Sequence, residues 1–333
     1  MHDGIAQGGL PFRATRFWFS LADEPPENCK KNENGVPLDP ILAQAIPSPS
    51  EARVTSWELR DPLGESSHTI FEHAVRQYHS RVLVRATGQC FLFCRHCFRR
   101  SLLPSELGFI DSKAIEALAA YLAVHHEVRE VLISGGDPLT APDASLASLF
   151  EAVRSIPRPI LIRLCTRAPV VLPQRLTPNL IALLSKMRPL QMMLHINHPK
   201  ELSKEFMEKA DLLLRAGIPL HSQTVLLRGI NDSASVLVEL FSSLNLAGIH
   251  PYYLFQGDLA AGTAHFRVPL SRGLALYEDL RKELSGLELP RYAVDAPGGG
   301  GKIYLPEGIT ERRANLWILR APDGSLHEYP EEG

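Results

Sequence analysis

The sequence predicts an α/β fold: a partial (βα)6 barrel, with an open doubly wound sheet as the alternative. From Arg81 onward, short β-rich runs alternate with helical patterns about 10–15 residues long, which is typical of a parallel sheet. Six such units follow one another in the chain. The composition, 45% hydrophobic and 22% charged over 333 residues, indicates a well-filled core. In both architectures ligands bind at the carboxyl ends of the strands, so functional residues are expected there.

The first predicted unit, residues 1–80, is an irregular N-terminal lead with short helices, wrapped on the main domain. It is rich in Pro, Glu, Ser and Asp and has no sustained hydrophobic period. The second unit, residues 81–285, is the barrel. Its candidate strands occupy residues 81–87, 130–134, 160–166, 191–197, 220–227 and 250–255.

Helices are predicted between these strands. One begins after Asp111 and repeats apolar residues at three- and four-residue spacing. Another ends at Gly217, where glycine can take a positive φ and Pro219 prevents continuation. The third unit, residues 286–333, combines a glycine-rich loop that carries a lysine with a C-terminal β-hairpin, whose turn is Pro322-Asp323-Gly324.

The charge and the N-terminus disfavour two classes of protein. Thirty-five Lys and Arg balance 37 Asp and Glu, for a formal charge of -2, so there is no basic field to attract nucleic acid. The N-terminus lacks the basic start and apolar run of a signal peptide, and the longest uncharged apolar stretch, Ala117 to Val124, is too short to span a bilayer. We therefore expect a cytoplasmic protein that binds neither nucleic acid nor membrane.

Three cysteines, Cys90, Cys94 and Cys97, lie within eight residues directly after the first barrel strand. This spacing does not resemble a disulfide framework and indicates a metal centre. Three thiolates on a short loop can hold three irons of a 4Fe-4S cluster and leave the fourth iron open for a ligand. The alternative is structural zinc with His96 or a distant residue as fourth ligand, although His96 adjoins Cys97 and simultaneous coordination would be awkward.

The Cys-x3-Cys-x2-Cys loop in this position resembles the radical S-adenosylmethionine (SAM) enzymes. That resemblance implies that the open iron is chelated by the amino and carboxylate groups of SAM. One electron from the cluster then cleaves SAM to methionine and a 5′-deoxyadenosyl radical. It also implies that Gly135, Gly136 and Asp137, at the end of the second strand, lie beside the methionyl group of SAM, because glycine allows close backbone approach.

A second motif, Ala296-Pro297-Gly298-Gly299-Gly300-Gly301-Lys302, lies between two apolar strands. A phosphate-binding P-loop would need Gly at position 296 and Ser or Thr at position 303, and the chain has Ala296 and Ile303. A lysine in such an ordered loop can form a Schiff base with a carbonyl cofactor, while glycine amides solvate an adjacent anion.

With both motifs the chain resembles the lysine 2,3-aminomutase family, from about Asp61 to the final hairpin. Segments that carry the resemblance include CRHCFRR, ISGGDPLT, HINHP, SQTVLLRGIND and VDAPGGGGK. The family's activity would be radical SAM interconversion of L-lysine and β-lysine with pyridoxal 5′-phosphate (PLP), by 1,2-migration of the amino group. The resemblance assigns PLP attachment to Lys302, the PLP phosphate to Arg81, SAM contacts to His195 and Gln223, the substrate carboxylate to Arg99, and the substrate ε-ammonium to Asp258 and Asp295.

Two departures from the family pattern concern PLP: Gln77 replaces a second phosphate-binding arginine and Phe255 replaces a tyrosine. The C-terminal zinc cysteines of longer family members are also missing. The alternatives are a β-lysine-forming enzyme for elongation factor P, an aminomutase for arginine or another amino acid, and a non-catalytic zinc-stabilised binding module. Expected partners are the amino acid substrate, an electron donor such as flavodoxin or ferredoxin, and further copies of the chain in a homo-oligomer.

Overall fold

In the computed structural model, which describes residues 10–102 and 107–331, ten strands form one sheet and three form another. The large sheet contains β1 (Thr69–Phe71), β2 (Ala74–Tyr78), β3 (Arg81–Thr87), β4 (Glu130–Gly135), β5 (Leu161–Thr166), β6 (Leu190–His195), β7 (Leu220–Val225), β8 (Ile249–Phe255), β9 (Arg291–Asp295) and β10 (Lys302–Tyr304). The small sheet contains β11 (Ile309–Arg313), β12 (Leu316–Arg320) and β13 (Leu326–Pro330).

The large sheet keeps its strands in chain order. Strands β3 to β9 pair in parallel, whereas β1, β2 and β10 extend the two edges antiparallel. A doubly wound sheet would reverse its strand order at a switch point, so this order excludes that alternative. Within the described residues β1 and β10 do not pair, and the barrel is therefore open, as predicted. A seventh parallel strand, β9, follows the six predicted βα units.

The helices from residue 112 onward connect the parallel strands, and two short helices precede the sheet in the chain. The helices are α1 (Arg16–Phe19), α2 (Pro40–Ala43), α3 (Ser112–Val124), α4 (Asp143–Arg154), α5 (Ala168–Val171), α6 (Pro178–Lys186), α7 (Lys204–Arg215), α8 (Ala234–Leu246) and α9 (Leu270–Glu283). The Asp111 side chain accepts a hydrogen bond from the Ala114 amide and so caps α3, and Gly217 takes φ +76° just after α7. Both predicted helix boundaries are confirmed.

The strands separate a helix-facing side from an interior side. On β7 the buried residues Leu220, Ser222 and Thr224 alternate with His221, Gln223 and Val225, which are less buried. Gln223 and Val225 line the central cavity, so the two-residue period directs this second set to the barrel interior.

The N-terminal lead contributes β1 and β2 to the large sheet and also contains α1 and α2. Residues 1–9 of the predicted lead and residues 332–333 of the predicted third unit lie outside the described ranges. At the open side of the barrel, Gln77 Nε2 donates to the Gly299 carbonyl at 2.7 Å, and the Lys302 amide donates to the Tyr78 hydroxyl at 2.9 Å. These bonds join the two edges of the sheet. At the C-terminus, β12 and β13 form the predicted hairpin.

Candidate active site

A cavity of about 370 Å³ lies inside the barrel, at the carboxyl ends of the parallel strands. It is lined by all the residues for which the sequence predicts a site role: Arg81, Cys90, Cys94, Cys97, Arg99, Gly135, Gly136, Asp137, His195, Gln223, Asp258, Asp295 and Lys302. The fold thus gathers into one space residues that are up to 221 positions apart in the chain (302 − 81).

The three clustered cysteines form one end of this cavity. Burial raises the pKa of the Cys90 thiol well above its usual value, and the charges of Asp137, Cys97 and Cys94 raise it further. Burial, together with Cys94, raises the pKa of Cys97 to about 11. Thiols in such surroundings stay protonated at neutral pH unless a cation holds them as thiolates, which is the condition that a bound iron-sulfur cluster meets.

Two histidines lie behind Cys94. The Nε2 atoms of His96 and His195 are 2.9 Å apart, and one ligand atom from each of Cys94, His96 and His195 lies within 4.8 Å of the others. Burial lowers the pKa of both imidazoles well below the usual value, so both are neutral. This trio could hold zinc, but it would leave out Cys90 and Cys97, which line the same cavity.

Gly135 and Gly136 allow the loop after β4 to press against the chain that leads into the cysteine loop. A Cβ on Gly135 would lie 2.5 Å from the Thr87 carbonyl oxygen, and one on Gly136 would lie 2.3 Å from the Gln89 carbonyl oxygen. Gly135 also takes φ +113°. Both glycines are therefore required by backbone contact between two loops, in addition to any contact with a ligand.

The Asp137 carboxylate is buried and accepts four hydrogen bonds, from the Thr166 hydroxyl and from the backbone amides of Leu139, Arg167 and Ala168, at 2.7–3.0 Å. Burial raises its pKa, and these hydrogen bonds oppose that rise. Asp137 therefore ties the loop after β4 to the loop after β5.

Lys302 and Asp295 lie opposite each other in the antiparallel pair β9–β10. The Lys302 ammonium lies 2.8 and 3.0 Å from the two Asp295 carboxylate oxygens and 4.0 Å from the centre of the Phe255 ring. Burial raises the pKa of nearby Asp258 to about 8, and Asp295 contributes in the same direction. The cavity thus holds one carboxyl group that pairs with lysine and a second whose raised pKa favours its protonated form at neutral pH.

Arg81 is the first residue of β3, and it is linked to this lysine loop through Tyr78, whose hydroxyl accepts a hydrogen bond from the Lys302 amide. Its guanidinium stacks on the Tyr78 ring at 4.2 Å, and within residues 10–102 and 107–331 it has no hydrogen-bond or ion-pair partner. The glycine loop itself takes positive φ at Gly298, Gly299 and Gly301, which non-glycine residues would adopt only with strain. An unpaired cation beside a loop of accessible backbone suits an anionic group.

Two site residues were missed by the sequence analysis. Glu65 pairs with Arg99 through three hydrogen bonds of 2.7–3.2 Å, while Arg99 Nη1 donates to the Ser134 hydroxyl at 3.1 Å. Arg167 Nη1 donates to Cys94 Sγ at 2.8 Å. No local motif marks either residue, although Arg167 lies only two residues after Cys165, in a segment that the resemblance covers.

Comparison with known proteins places this site in a family. A family model described as the radical SAM superfamily matches residues 84–240, and one described as lysine-2,3-aminomutase matches residues 277–333. A Treponema pallidum protein, provisionally assigned as an L-lysine 2,3-aminomutase, is 45% identical over 89% of this chain and 85% of its own. The chain belongs to the lysine 2,3-aminomutase family. It is therefore a radical SAM isomerase, and the hypothesis of a non-catalytic zinc module is wrong.

Other members of the aminomutase family differ in substrate. An L-lysine 2,3-aminomutase of Fusobacterium nucleatum is 39% identical over 97% of this chain and 74% of its own length. A glutamate 2,3-aminomutase of Clostridioides difficile is 34% identical over 98% of this chain and 76% of its own. Membership thus establishes the class of reaction and an amino acid substrate, but not which amino acid.

The barrel agrees with the family assignment. The crystal structure of Streptococcus suis SuiB bound to S-adenosylmethionine shares the fold, with a TM-score of 0.50 and 16% identity over 65% of this chain and 50% of that one. Radical SAM enzymes use a 4Fe-4S cluster and SAM, which agrees with the sequence-based prediction of both cofactors. No helix in the described part of this aminomutase is long and apolar enough to cross a membrane.

Proposed function

We propose that this protein is a PLP-dependent aminomutase that interconverts L-lysine and β-lysine. One observation carries the proposal: a single cavity contains the three cysteines, a lysine on a glycine loop and, near that lysine, the carboxyl groups of Asp258 and Asp295. A substrate with a cationic side chain fits two adjacent carboxylates. A glutamate side chain would instead place a third carboxyl group beside Asp258 and Asp295, where burial and Asp295 already disfavour ionisation of Asp258, and it would be repelled.

The chain's residues fit both cofactors. Cys90, Cys94 and Cys97 would hold the cluster, which with SAM supplies the 5′-deoxyadenosyl radical that removes a hydrogen atom. Lys302 would bind PLP, which supplies a π-system through which the amino nitrogen can migrate. Arg81, which has no acidic partner in the described ranges, would bind the phosphate. Gln77, at the position of the family's second phosphate-binding arginine, donates to the Gly299 carbonyl. It would therefore order the glycine loop and not bind the phosphate.

The remaining predicted residues would bind and orient SAM and the substrate. His195 and Gln223 are register partners on β6 and β7 and would contact SAM from neighbouring strands, beside Gly135, Gly136 and Asp137. Arg99 would bind the substrate carboxylate through Nη1, which also donates to the Ser134 hydroxyl. Its Nη2 donates to Glu65, which would fix the orientation of the guanidinium. Phe255 and Tyr253, within 5.1 Å of the Lys302 ammonium, would exclude water from the reacting centre.

The proposal includes a one-electron donor such as flavodoxin or ferredoxin, a homo-oligomeric assembly and a cytoplasmic location.

The proposed activity is tested by one anaerobic assay of the purified full chain with SAM, PLP, dithionite and separate amino acids. Lysine should yield β-lysine, and glutamate and alanine should yield little product. Arginine belongs in the panel because its guanidinium could also bind two carboxylates. Rearrangement of glutamate but not lysine would overturn the substrate assignment.

Substitution of either clamp carboxylate should weaken lysine turnover. Removing one partner of a buried charge typically costs about 2–5 kcal/mol. The lower end of this range predicts a loss of roughly 30-fold or more in kcat/KM for lysine in Asp295→Asn or Asp258→Asn. The matched comparison is norleucine, which has the same chain length without the ammonium. Any turnover of norleucine should change much less, and equal losses for both substrates would contradict a clamp on the ε-ammonium.

Lysine binding should also depend on the protonation of Asp258. Its pKa is raised to about 8 by burial and Asp295, against the opposing charges of Lys302, Arg267 and Arg99; Tyr329 also lies close enough to interact. Below that pH Asp258 is neutral, and binding a cation there requires loss of its proton. The KM for lysine should therefore fall as pH rises towards about 8, by at most about tenfold per pH unit, and then level off. Asp258→Asn should flatten this profile between pH 6 and 9; an unchanged profile would exclude Asp258 as its source.

A further inference from the structure

Arg167 lies directly after β5 and points at a thiol of the cysteine loop. Its Nη1 donates to Cys94 Sγ at 2.8 Å, and its side chain is only 7% exposed. A guanidinium carries a permanent positive charge and only donors, so this contact is a charge-assisted N–H···S hydrogen bond.

The rest of the Arg167 side chain is fixed by buried partners. Its Nη2 donates to Gln44 Oε1 at 2.6 Å and to Glu201 Oε2 at 2.9 Å, and both partners are completely buried. Gln44 Nε2 also donates to Glu201 Oε1 at 3.1 Å, and the guanidinium lies 4.6 Å from the centre of the Trp18 ring. Rotation of Arg167 away from Cys94 would break these contacts in a dry environment, so its direction is strongly constrained.

We propose that Arg167 is a positioning residue that raises the reduction potential of the iron-sulfur cluster through its hydrogen bond to Cys94. This inference rests on the proposed role of Cys94 as a cluster ligand. Reduction adds one negative charge to the cluster and its thiolates. A fixed cationic donor to one thiolate stabilises that added charge, and hydrogen bonds to cluster sulfurs and net charge are the levers that set such potentials.

Arg100, three residues after Cys97 in the cysteine loop, provides a matched comparison. It is also buried, with its side chain 5% exposed, but it donates to Glu51 Oε2 at 2.6 Å and to the carbonyl oxygens of Arg95 and Gly262, not to sulfur. Both arginines thus pair with a buried carboxylate, Glu51 or Glu201, and they differ in that Arg167 also donates to the Cys94 thiol. If the hydrogen bond to sulfur sets the reduction potential, substitution of Arg167 should shift that potential more than substitution of Arg100.

The test is an anaerobic redox titration of the full-length protein with its reconstituted cluster, without SAM, followed by the electron paramagnetic resonance (EPR) signal of the reduced cluster. At a fixed potential, Arg167→Gln should lower the ratio of reduced to oxidised cluster about tenfold, which for one electron is a midpoint about 59 mV more negative. Arg100→Gln should shift the midpoint by less than half as much. An unchanged midpoint in Arg167→Gln, or equal shifts in both variants, would overturn the proposal.

A second measurement needs no substitution and can overturn the proposal even if the variants lose iron. Wild-type protein grown with arginine labelled with ¹⁵N only in the guanidinium should show a ¹⁵N coupling to the reduced cluster in pulsed EPR. Absence of that coupling would overturn the proposal. If the cysteine assignment itself were wrong, the wild type would lack the 4Fe-4S signal or Cys94→Ala would retain it, so the two failures are distinguishable.

Discussion

Replacing Cys90, Cys94 or Cys97 with alanine is expected to abolish SAM cleavage. Each thiol would supply one iron ligand, and loss of one exposes a second iron and destabilises the whole cluster. The purified variants should lose most of their iron and sulfide and the brown absorbance near 400 nm that the wild type shows. Formation of 5′-deoxyadenosine with dithionite should fall below detection.

The chain offers a matched control for this result. Cys165 is also a free cysteine, lines the same cavity and has a pKa raised by burial, but it lies on β5, outside the cysteine loop. Cys165→Ala should keep its iron and its 5′-deoxyadenosine formation. Retained SAM cleavage in Cys94→Ala, with loss in Cys165→Ala, would refute the ligand assignment and favour another set of donors.

The barrel could be predicted because its signals are local. Apolar runs of strand length separated by helical periods gave the six parallel strands to within about two residues, from 81–87 to 250–255. The cysteine spacing and the glycine run are also continuous in the sequence. They predicted that Cys90 and Lys302 belong to a site, and the fold then brought both to one cavity.

The residues that sequence reasoning missed act over long separations. Arg167 contacts Gln44 and Cys94, which are 123 and 73 positions away, and Glu65 contacts Arg99 across 34 positions. Gln44 lies in a lead that reads as irregular and polar, where buried and exposed glutamines look alike. Such pairs become visible only once tertiary packing removes them from water, because each buried polar group must then find a partner.

Gly135 and Gly136 line the cavity, but the reason that the sequence suggested for glycine at these positions was incomplete. The sequence placed them beside a ligand because glycine permits close approach. In the structure the space of each missing Cβ is already occupied by a carbonyl oxygen, from Thr87 and from Gln89. An alanine at either position would therefore displace the chain before the cysteine loop, whether or not SAM is bound.

Lys302→Ala is expected to abolish aminomutase turnover while leaving the iron content unchanged. Borohydride treatment of the wild type with PLP should attach the cofactor covalently, and peptide mapping should locate it at Lys302. The variant should form no such adduct, because its β10 position then lacks an amine next to Asp295. Lys282→Ala, which removes an exposed lysine paired with Asp279, should label and turn over like the wild type.

A substitution of Arg81 tests phosphate recognition separately from covalent attachment of PLP at Lys302. Arg81→Met keeps Lys302 but removes the guanidinium that stacks on the Tyr78 ring and has no hydrogen-bond or ion-pair partner among the described residues. Hydrogen bonds to charged groups contribute about 1.5–3 kcal/mol, so PLP affinity should fall by about tenfold or more, measured by titration before reduction. Saturating PLP should still yield the Lys302 adduct. A label that maps to another lysine, or a Lys302→Ala protein that retains both adduct and turnover, would show that the glycine loop does not carry the cofactor.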